Sequence, residues 1–437
     1  MYDLILEAGT VLSQGKAVQA DVAVEGGTVV YVGDRPGGAA RRRVYAGGRF
    51  VTPGFIDTHV HFRDPGHPHK EDWASGSRAA ASGGVTTVCD MPNTDPPTVS
   101  VAAWEAKVAT AQARSRVDFG VWIGAAAGAV DAARALADSG RACGIKVFMG
   151  ASTGPLLVDD ATLFTYFEHT RALMGVHAED EAVLARLRAE WSGRIPPSHH
   201  ATRPAEAATA AVRRLIELTE AFPRPVHVCH VSTAAELALL EAVRGRLPMT
   251  AEVSPHHLWL DEAAPLGNLG KVNPPLRPAA DAAAMLAAFA GGRLDTVGSD
   301  HAPHTLEEKA RPYAQAPAGL PGVETIFPLM LAAVRRGEFP LERVVDACAG
   351  APARTFGMSR KGRVAVGADA DLLVFGEAEL QVLTAEALLT RVAWSPFLGR
   401  SVHPKPDEVY LRGALVASHG RIVGDDVRGR LVGAELT

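Results

Sequence analysis

Hydrophobic and polar positions change rhythm twice along this chain. Residues 1 to about 50 alternate short apolar runs, DLILEAG and DVAVEGGTVVYVG, with Gly-rich turns, a pattern that predicts small antiparallel strands. The same texture returns near the other end in ADLLVF, EVYLRGALVASHGRIVG and RLVG. Between them apolar strand, loop and Ala-rich helical stretch alternate. Strands are predicted at 54–61, 85–90, 117–124, 144–150, 173–179, 225–231, 249–254 and 294–300, separated by helical stretches such as VAAWEAKVATAQA and AEAATAAVRRLIELTEA. This order belongs to the α/β class with parallel strands buried on both faces, and eight such units in roughly 300 residues favour a (β/α)8 TIM-like barrel over an open sheet. The bracketing segments predict a small β-sandwich domain built from both termini. The expected division is 1–51 and 362–437 for that domain and 52–361 for the barrel. No GxGxxG or GxxxxGK[ST] follows the first barrel strand, so nucleotide binding has no support.

Composition adds little to the class and more to the chemistry. With 437 residues, 47% hydrophobic and 21% charged, the chain can bury a large core, and disordered or fibrous classes are excluded. Its 44 basic and 49 acidic residues form no long runs, which argues against nucleic-acid and membrane partners. The start, MYDLILEAGTVL, carries acids where a signal peptide would be basic, and a cytoplasmic location is expected. Four scattered cysteines predict buried thiols and no disulfide framework. Only eight residues are Lys and only three are Asn, while 14 of 16 His fall between His59 and His304.

Reactive groups of such a barrel belong at the C-terminal ends of its strands. Strand one ends in His59 and His61, strand four carries Lys146, strand five ends in His177, strand six in His230, and strand eight in Asp300, followed by His301 and His304. Side chains two apart on a strand share a face, so His59 and His61 can reach one cation. With His and Asp donors at the other strand ends, the set suits Zn²⁺ or a related divalent ion. Burial would desolvate an ammonium at Lys146 and depress its pKa. Either Lys146 pairs with an acid or reaches solvent, or its neutral amine takes up CO₂ as a carbamate able to bridge two ions. His227, taken as sharing a face with His230, competes with it. His199, His200, His256 and His257 fit loop or supporting positions. Asp300 could bind a metal and act as general base, or simply cap the following loop.

GFIDTHVHFRDPG, GGVTTVCDMPNTDPPT, GIKVFMGASTG, GVHAED, HVCHVST, KVNPPLR, GSDHAPHT and GLPGVET together resemble the cyclic amidohydrolases, and within them the dihydroorotase family. The likeness covers nearly the whole chain, including GRVAVGADADLLVF. It implies reversible closure of N-carbamoyl-L-aspartate to L-dihydroorotate and water, in pyrimidine biosynthesis. It implies two divalent ions, Zn²⁺ first among candidates: His59, His61 and Asp300 on one, His177 and His230 on the other, and N6-carboxylated Lys146 bridging both. Two such ions lower the pKa of a shared water towards ~7, and the resulting hydroxide attacks the ring amide while Asp300 moves the proton. Some family members bridge with an Asp instead. The matching stretch here, Gly150-Ala151-Ser152-Thr153, has no acid, although Asp159 and Asp160 lie close after it. Arg63, two residues after His61 and expected on the same strand face, offers a planar fork suited to a carboxylate. The resemblance further implies that Arg63, Asn93 and His304 hold the substrate carboxylate, that Asn273 bonds the ring amide, and that the Ala318 and Gly319 backbone touches the ring. Asn93 could instead serve only its turn, and Arg63 could pair with Asp64 or Asp72. A homodimer and association with aspartate transcarbamoylase are compatible with the family. Hydantoinase, dihydropyrimidinase and allantoinase chemistry would share the metal centre, and a non-catalytic scaffold is the remaining alternative.

Overall fold

The computed structural model describes residues 1–152, 154–424 and 426–433. The first strands are β1 (Tyr2–Ser13), β2 (Lys16–Glu25), β3 (Thr28–Gly33), β4 (Ala40–Tyr45) and β5 (Phe50–Pro53). β1 pairs with β2 along its length, but its other edge is shared: the first half runs parallel to β4 and the second half to β5. The break falls at Ala8, whose φ is 56°, where the register with β2 also shifts. From β5 the same sheet continues into strands of the other end of the chain, β15 (Leu372–Phe375), β18 (Glu408–Leu411), β19 (Ala414–Ser418) and β20 (Arg421–Ile422). Leu4, Leu6, Val22, Val51, Leu372 and Val374 fill its core. β16 (Gln381–Val382) and β17 (Ser401–Val402) make a separate ribbon.

One residue, Gly54, joins this sheet to the barrel. A side chain there would drive its Cβ to 2.2 Å from Thr86 Oγ1, so glycine lets the first barrel strand pass close to its neighbour. The barrel strands are β6 (Phe55–Val60), β7 (Val85–Asp90), β8 (Asp118–Val121) with its continuation β9 (Ile123–Gly124), β10 (Ile145–Phe148), β11 (Met174–His177), β12 (Val226–Val228), β13 (Met249–Val253) and β14 (Thr296–Val297). Counting β8 and β9 as one strand interrupted at Trp122 gives eight, all parallel to their neighbours. The ring closes where His61 N–H donates to the His301 carbonyl at 2.8 Å, beside a parallel bridge from Val60 to His301. Nearly every strand residue is buried, as expected for β-branched runs covered on both faces. β7 keeps its predicted bounds and the other seven are shorter than predicted, the eighth most of all. At Gly298 a Cβ would meet Glu252 Oε2 at 2.3 Å, and the chain leaves the sheet there to present Asp300.

Helix caps fix the loops that carry the site. In the helix Ala234–Val243, Thr233 and Glu236 form a capping box, and Glu236 also accepts from the Ser232 N–H, which anchors the segment just after His230. Such a cap contributes about 1 kcal/mol. Among the described residues no helix is long and apolar enough to cross a membrane.

Candidate active site

His59, His61 and Asp300 converge at the seam where the barrel closes. His59 Nδ1–H donates to Glu252 Oε1 at 2.7 Å, and His61 Nδ1–H donates to Asn93 Oδ1 at 2.6 Å. Both rings therefore turn Nε2 towards the same oxygen, Asp300 Oδ1, at 3.3 and 3.2 Å. Two imidazole lone pairs facing a carboxylate would repel, so a proton or a cation must stand between them. Burial opposes a charge on His59, but Glu252 overrides it and the pKa rises to about 10. Burial instead drives His61 down to about 3. Burial alone would raise Asp300; the facing imidazoles hold it well below the usual carboxylate range. The three donor groups lie within 4.8 Å of one another, a spacing that one ion can satisfy.

His177 and His230 form a second convergence. His177 Nε2–H donates to Glu179 at 2.8 Å, and Glu179 is pinned in turn by Arg203. That leaves His177 Nδ1 facing His230 Nε2 at 3.0 Å, while His230 Nδ1 is buried without a hydrogen-bond partner. Lys146 lies next to this pair on β10, 0% exposed. Its Nζ is 3.1 Å from Cys229 Sγ and 5.2 Å from the centre of the Phe148 ring. Among the described residues no carboxylate comes within ion-pair distance of it. Neither a paired lysine nor one reaching solvent describes this residue.

Ten of the twelve predicted site residues line one pocket: His59, His61, Arg63, Asn93, His177, His230, Asn273, Asp300, Ala318 and Gly319. The other two touch its lining, Lys146 through Phe148 and His304 through Arg63 and the Ala318 carbonyl. Three of the site residues, Arg63, His230 and Asp300, have φ of 61°, 37° and 48°. The left-handed region disfavours side chains by roughly 1–2 kcal/mol each, and here it aims functional groups off the ends of the strands into the pocket.

Several expectations change. His227 and His230 do not share a face: they are three residues apart, and His227 packs on Phe356 and bonds Thr250, with Glu252 Oε2 3.5 Å from its Nε2, away from the pocket. Arg63 is not on a strand, because β6 ends at Val60; the left-handed turn, not strand alternation, brings it to the pocket. Its proposed partners are engaged elsewhere, Asp64 with Arg114 and Asp72 with the cap of Trp73–Ser82 and with Arg391. Asp159 caps the helix Asp160–His169 and Asp160 faces Arg214, so neither reaches the site. Thr153 lies outside the described residues. His301 is buried against Phe62, with Glu71 3.4 Å from its Nε2.

Some supporting residues had a visible but unread signal. Glu252 is the one acid in its strand, MTAEV; it accepts from His59 Nδ1–H and the His230 N–H and faces His227 Nε2 at 3.5 Å. Glu179 stands two residues after His177, and His199 bonds Asn273 at 2.8 Å and Tyr313 at 2.6 Å.

Residues 50–416 match the amidohydrolase family model. A dihydroorotase of Halobacterium salinarum is 42% identical over 84% of this chain and 86% of that protein. An allantoinase of Rubrobacter xylanophilus is 36% identical over 99% of this chain and 97% of its own length. Among solved structures, the L-hydantoinase (dihydropyrimidinase) of Arthrobacter aurescens superposes with a TM-score of 0.94 at 30% identity, covering 99% of this chain and 100% of that one. With the barrel, the flanking sheet and the strand-end cluster of His, Lys and Asp in place, the chain belongs to the amidohydrolase family.

Proposed function

We propose that the chain is a dihydroorotase that interconverts L-dihydroorotate and N-carbamoyl-L-aspartate in pyrimidine biosynthesis. Residues 52–361 form its catalytic barrel, carried by 1–51 and 362–437. His59, His61 and Asp300 would hold one divalent ion, His177 and His230 a second, and Lys146 in its N6-carboxylated form would serve both; the nitrogen-rich donor set suits Zn²⁺. The facing Nε2 atoms around Asp300, the unpartnered His230 Nδ1 and the buried uncompensated Lys146 all fit such ions. When bound, these ions activate water and polarise the amide carbonyl. Asp300 takes the proton of the attacking water and returns it to the ring nitrogen as the C–N bond breaks. Glu252 and Asn93 keep His59 and His61 turned towards Asp300 throughout.

The observation that carries the choice of substrate is Arg63. The residue is 3% exposed and lines the pocket, its Nε has no hydrogen-bond partner, and among the described residues no carboxylate lies within ion-pair distance. Burial draws its pKa down to about 10, so the charge persists at neutral pH. A carboxylate on the substrate ring completes it with a two-pronged hydrogen bond, assisted by His304 and Asn93, while Asn273 meets the ring amide and the Ala318–Gly319 backbone its edge. Rings without that group, as in hydantoin, dihydrouracil or allantoin, would leave Arg63 unsatisfied, at a cost that favours discrimination. Turnover of dihydroorotate, dihydrouracil, hydantoin and allantoin by the metal-loaded protein tests this; equal or better rates on the neutral rings would overturn it. A homodimer and association with an aspartate transcarbamoylase belong to the same proposal, and sedimentation of the protein alone and mixed with that enzyme reads both. A cytoplasmic location completes it.

A further inference from the structure

Lys70 has no part in the metal centre or in the substrate contacts named so far. It follows β6 in a loop and is half-buried, in a chain that exposes only one of its eight lysines, Lys16. Its Nζ lies 3.1 Å from His304 Nδ1 and 3.0 Å from Glu308 Oε1. Across the ring, His304 Nε2 is 3.1 Å from the Ala318 carbonyl oxygen and 3.2 Å from Arg63 Nη2.

Lys70 at one end and the Ala318 carbonyl at the other together set the polarity of this relay against one opposing donor, Arg63 Nη2. An ammonium only donates and a peptide carbonyl only accepts. Lys70 therefore donates to Nδ1, and the ring proton must be on Nε2, directed to the Ala318 side of the pocket. Burial pushes the His304 pKa down to about 3, so the ring is neutral near pH 7. Glu308 Oε2 stays 3.7 Å from Nδ1, too far for a hydrogen bond, and neutralises Lys70 instead. His304 Nε2–H, shared between the Ala318 carbonyl and the substrate, and the Arg63 fork then stand side by side as donors, an arrangement that a ring carboxylate satisfies by accepting from both. With the proton on Nδ1, Nε2 would present a lone pair to that carboxylate and repel it.

We propose that Lys70 is the positioning residue that sets His304 as an Nε2–H donor and thereby selects substrates bearing a ring carboxylate. This rests on the dihydroorotase assignment. Lys70→Met removes the donor with little change in volume, and Lys70→Gln keeps a neutral donor if the first variant folds poorly. In metal-loaded Lys70→Met, KM for dihydroorotate rises about tenfold, the scale of one hydrogen bond to a charged partner, with kcat within about twofold. The loss on dihydrouracil is smaller, Lys70→Gln recovers most of the effect, and Lys70→Met adds nothing in a His304→Phe background. In ¹⁵N-histidine-labelled wild type, the resonances of the ring lost in His304→Phe show the Nε2–H tautomer, and in Lys70→Met that signature is lost or mixed. An Nδ1–H ring in wild type, an unchanged KM in Lys70→Met, equal losses on both substrates, or additive effects with His304→Phe would each overturn the role of Lys70. Preference for dihydroorotate that is undiminished in Lys70→Met overturns this inference alone. Wild-type protein without that preference overturns the assignment and the inference together.

Discussion

Two lysines, both buried, show how differently the two ends of the barrel use charge. At the entry to β8, Lys361 Nζ is surrounded by Asp118 at 2.5 Å, Asp371 at 2.5 Å and Asp369 at 3.0 Å, and Arg412 also binds Asp118. Burial opposes its charge, yet these carboxylates hold its pKa above the usual lysine range. This network joins the barrel to the strands of the C-terminal segment. At the other end Lys146 has a thiol and an aromatic ring for neighbours. A buried ammonium without a counter-charge is costly, so the site keeps a group that the fold alone would reject, whereas the junction satisfies every charge it buries.

Four experiments break or sharpen this contrast. Lys146→Ala should lower kcat by about a thousandfold or more, the scale of losing metal activation, with partial rescue by short carboxylic acids and a melting temperature near that of the wild type. Full activity would remove Lys146 from the site. Lys361→Met should do the reverse: unfolding free energy falls by about 3–5 kcal/mol in denaturant titrations, because three carboxylates lose their ammonium, while metal content and specific activity of the folded protein persist. A loss of bound metal without a loss of stability would reverse the roles of the two ends. Arg63→Met should raise KM for dihydroorotate by roughly 30-fold, about 2 kcal/mol for a charge-assisted pair, with metal content unchanged; equal loss of metal would make its role structural.

The smallest effect per group is on pH. Burial pushes His61, His199 and His304 to about 3 and His256 to about 4, so these rings stay neutral in the fold. Below pH ~6.5 the unfolded chain takes up protons that the folded one refuses, and stability falls as pH drops from there towards 3–4, by about 1 kcal/mol per ring at pH 5.5. All four rings lie at the site end. Hydrogen exchange at pH 5.5 should therefore accelerate around His199, His256 and His304 before it does around Asp118 and Asp371; uniform acceleration would remove the contrast.

Much of the site was legible because the fold makes strand ends and reactive residues coincide. His59, His61, His177, His230 and Asp300 each follow an apolar run, and a lone Lys in Gly-Ile-Lys-Val-Phe stands out in a chain that relies on Arg elsewhere. What failed depended on where each strand stops. Alternation was extended past Val60 to Arg63 and across His227 to His230, whereas the chain turns left-handed at Arg63 and His230. The residues that fix ring orientation, Glu252, Lys70 and His199, act through hydrogen bonds between positions 22 to 234 residues apart, and no local pattern encodes such pairs.

The placement of lysine also has a practical side. Seven of the eight are committed to interior or half-buried roles, and Lys16 alone stands free in the hairpin between β1 and β2. Amine-reactive reagents should therefore modify the folded protein first on the sheet domain, at that hairpin and at the exposed amine of Met1. A support coupled through Lys16 would hold every molecule by the same corner and leave the pocket's mouth open to solution.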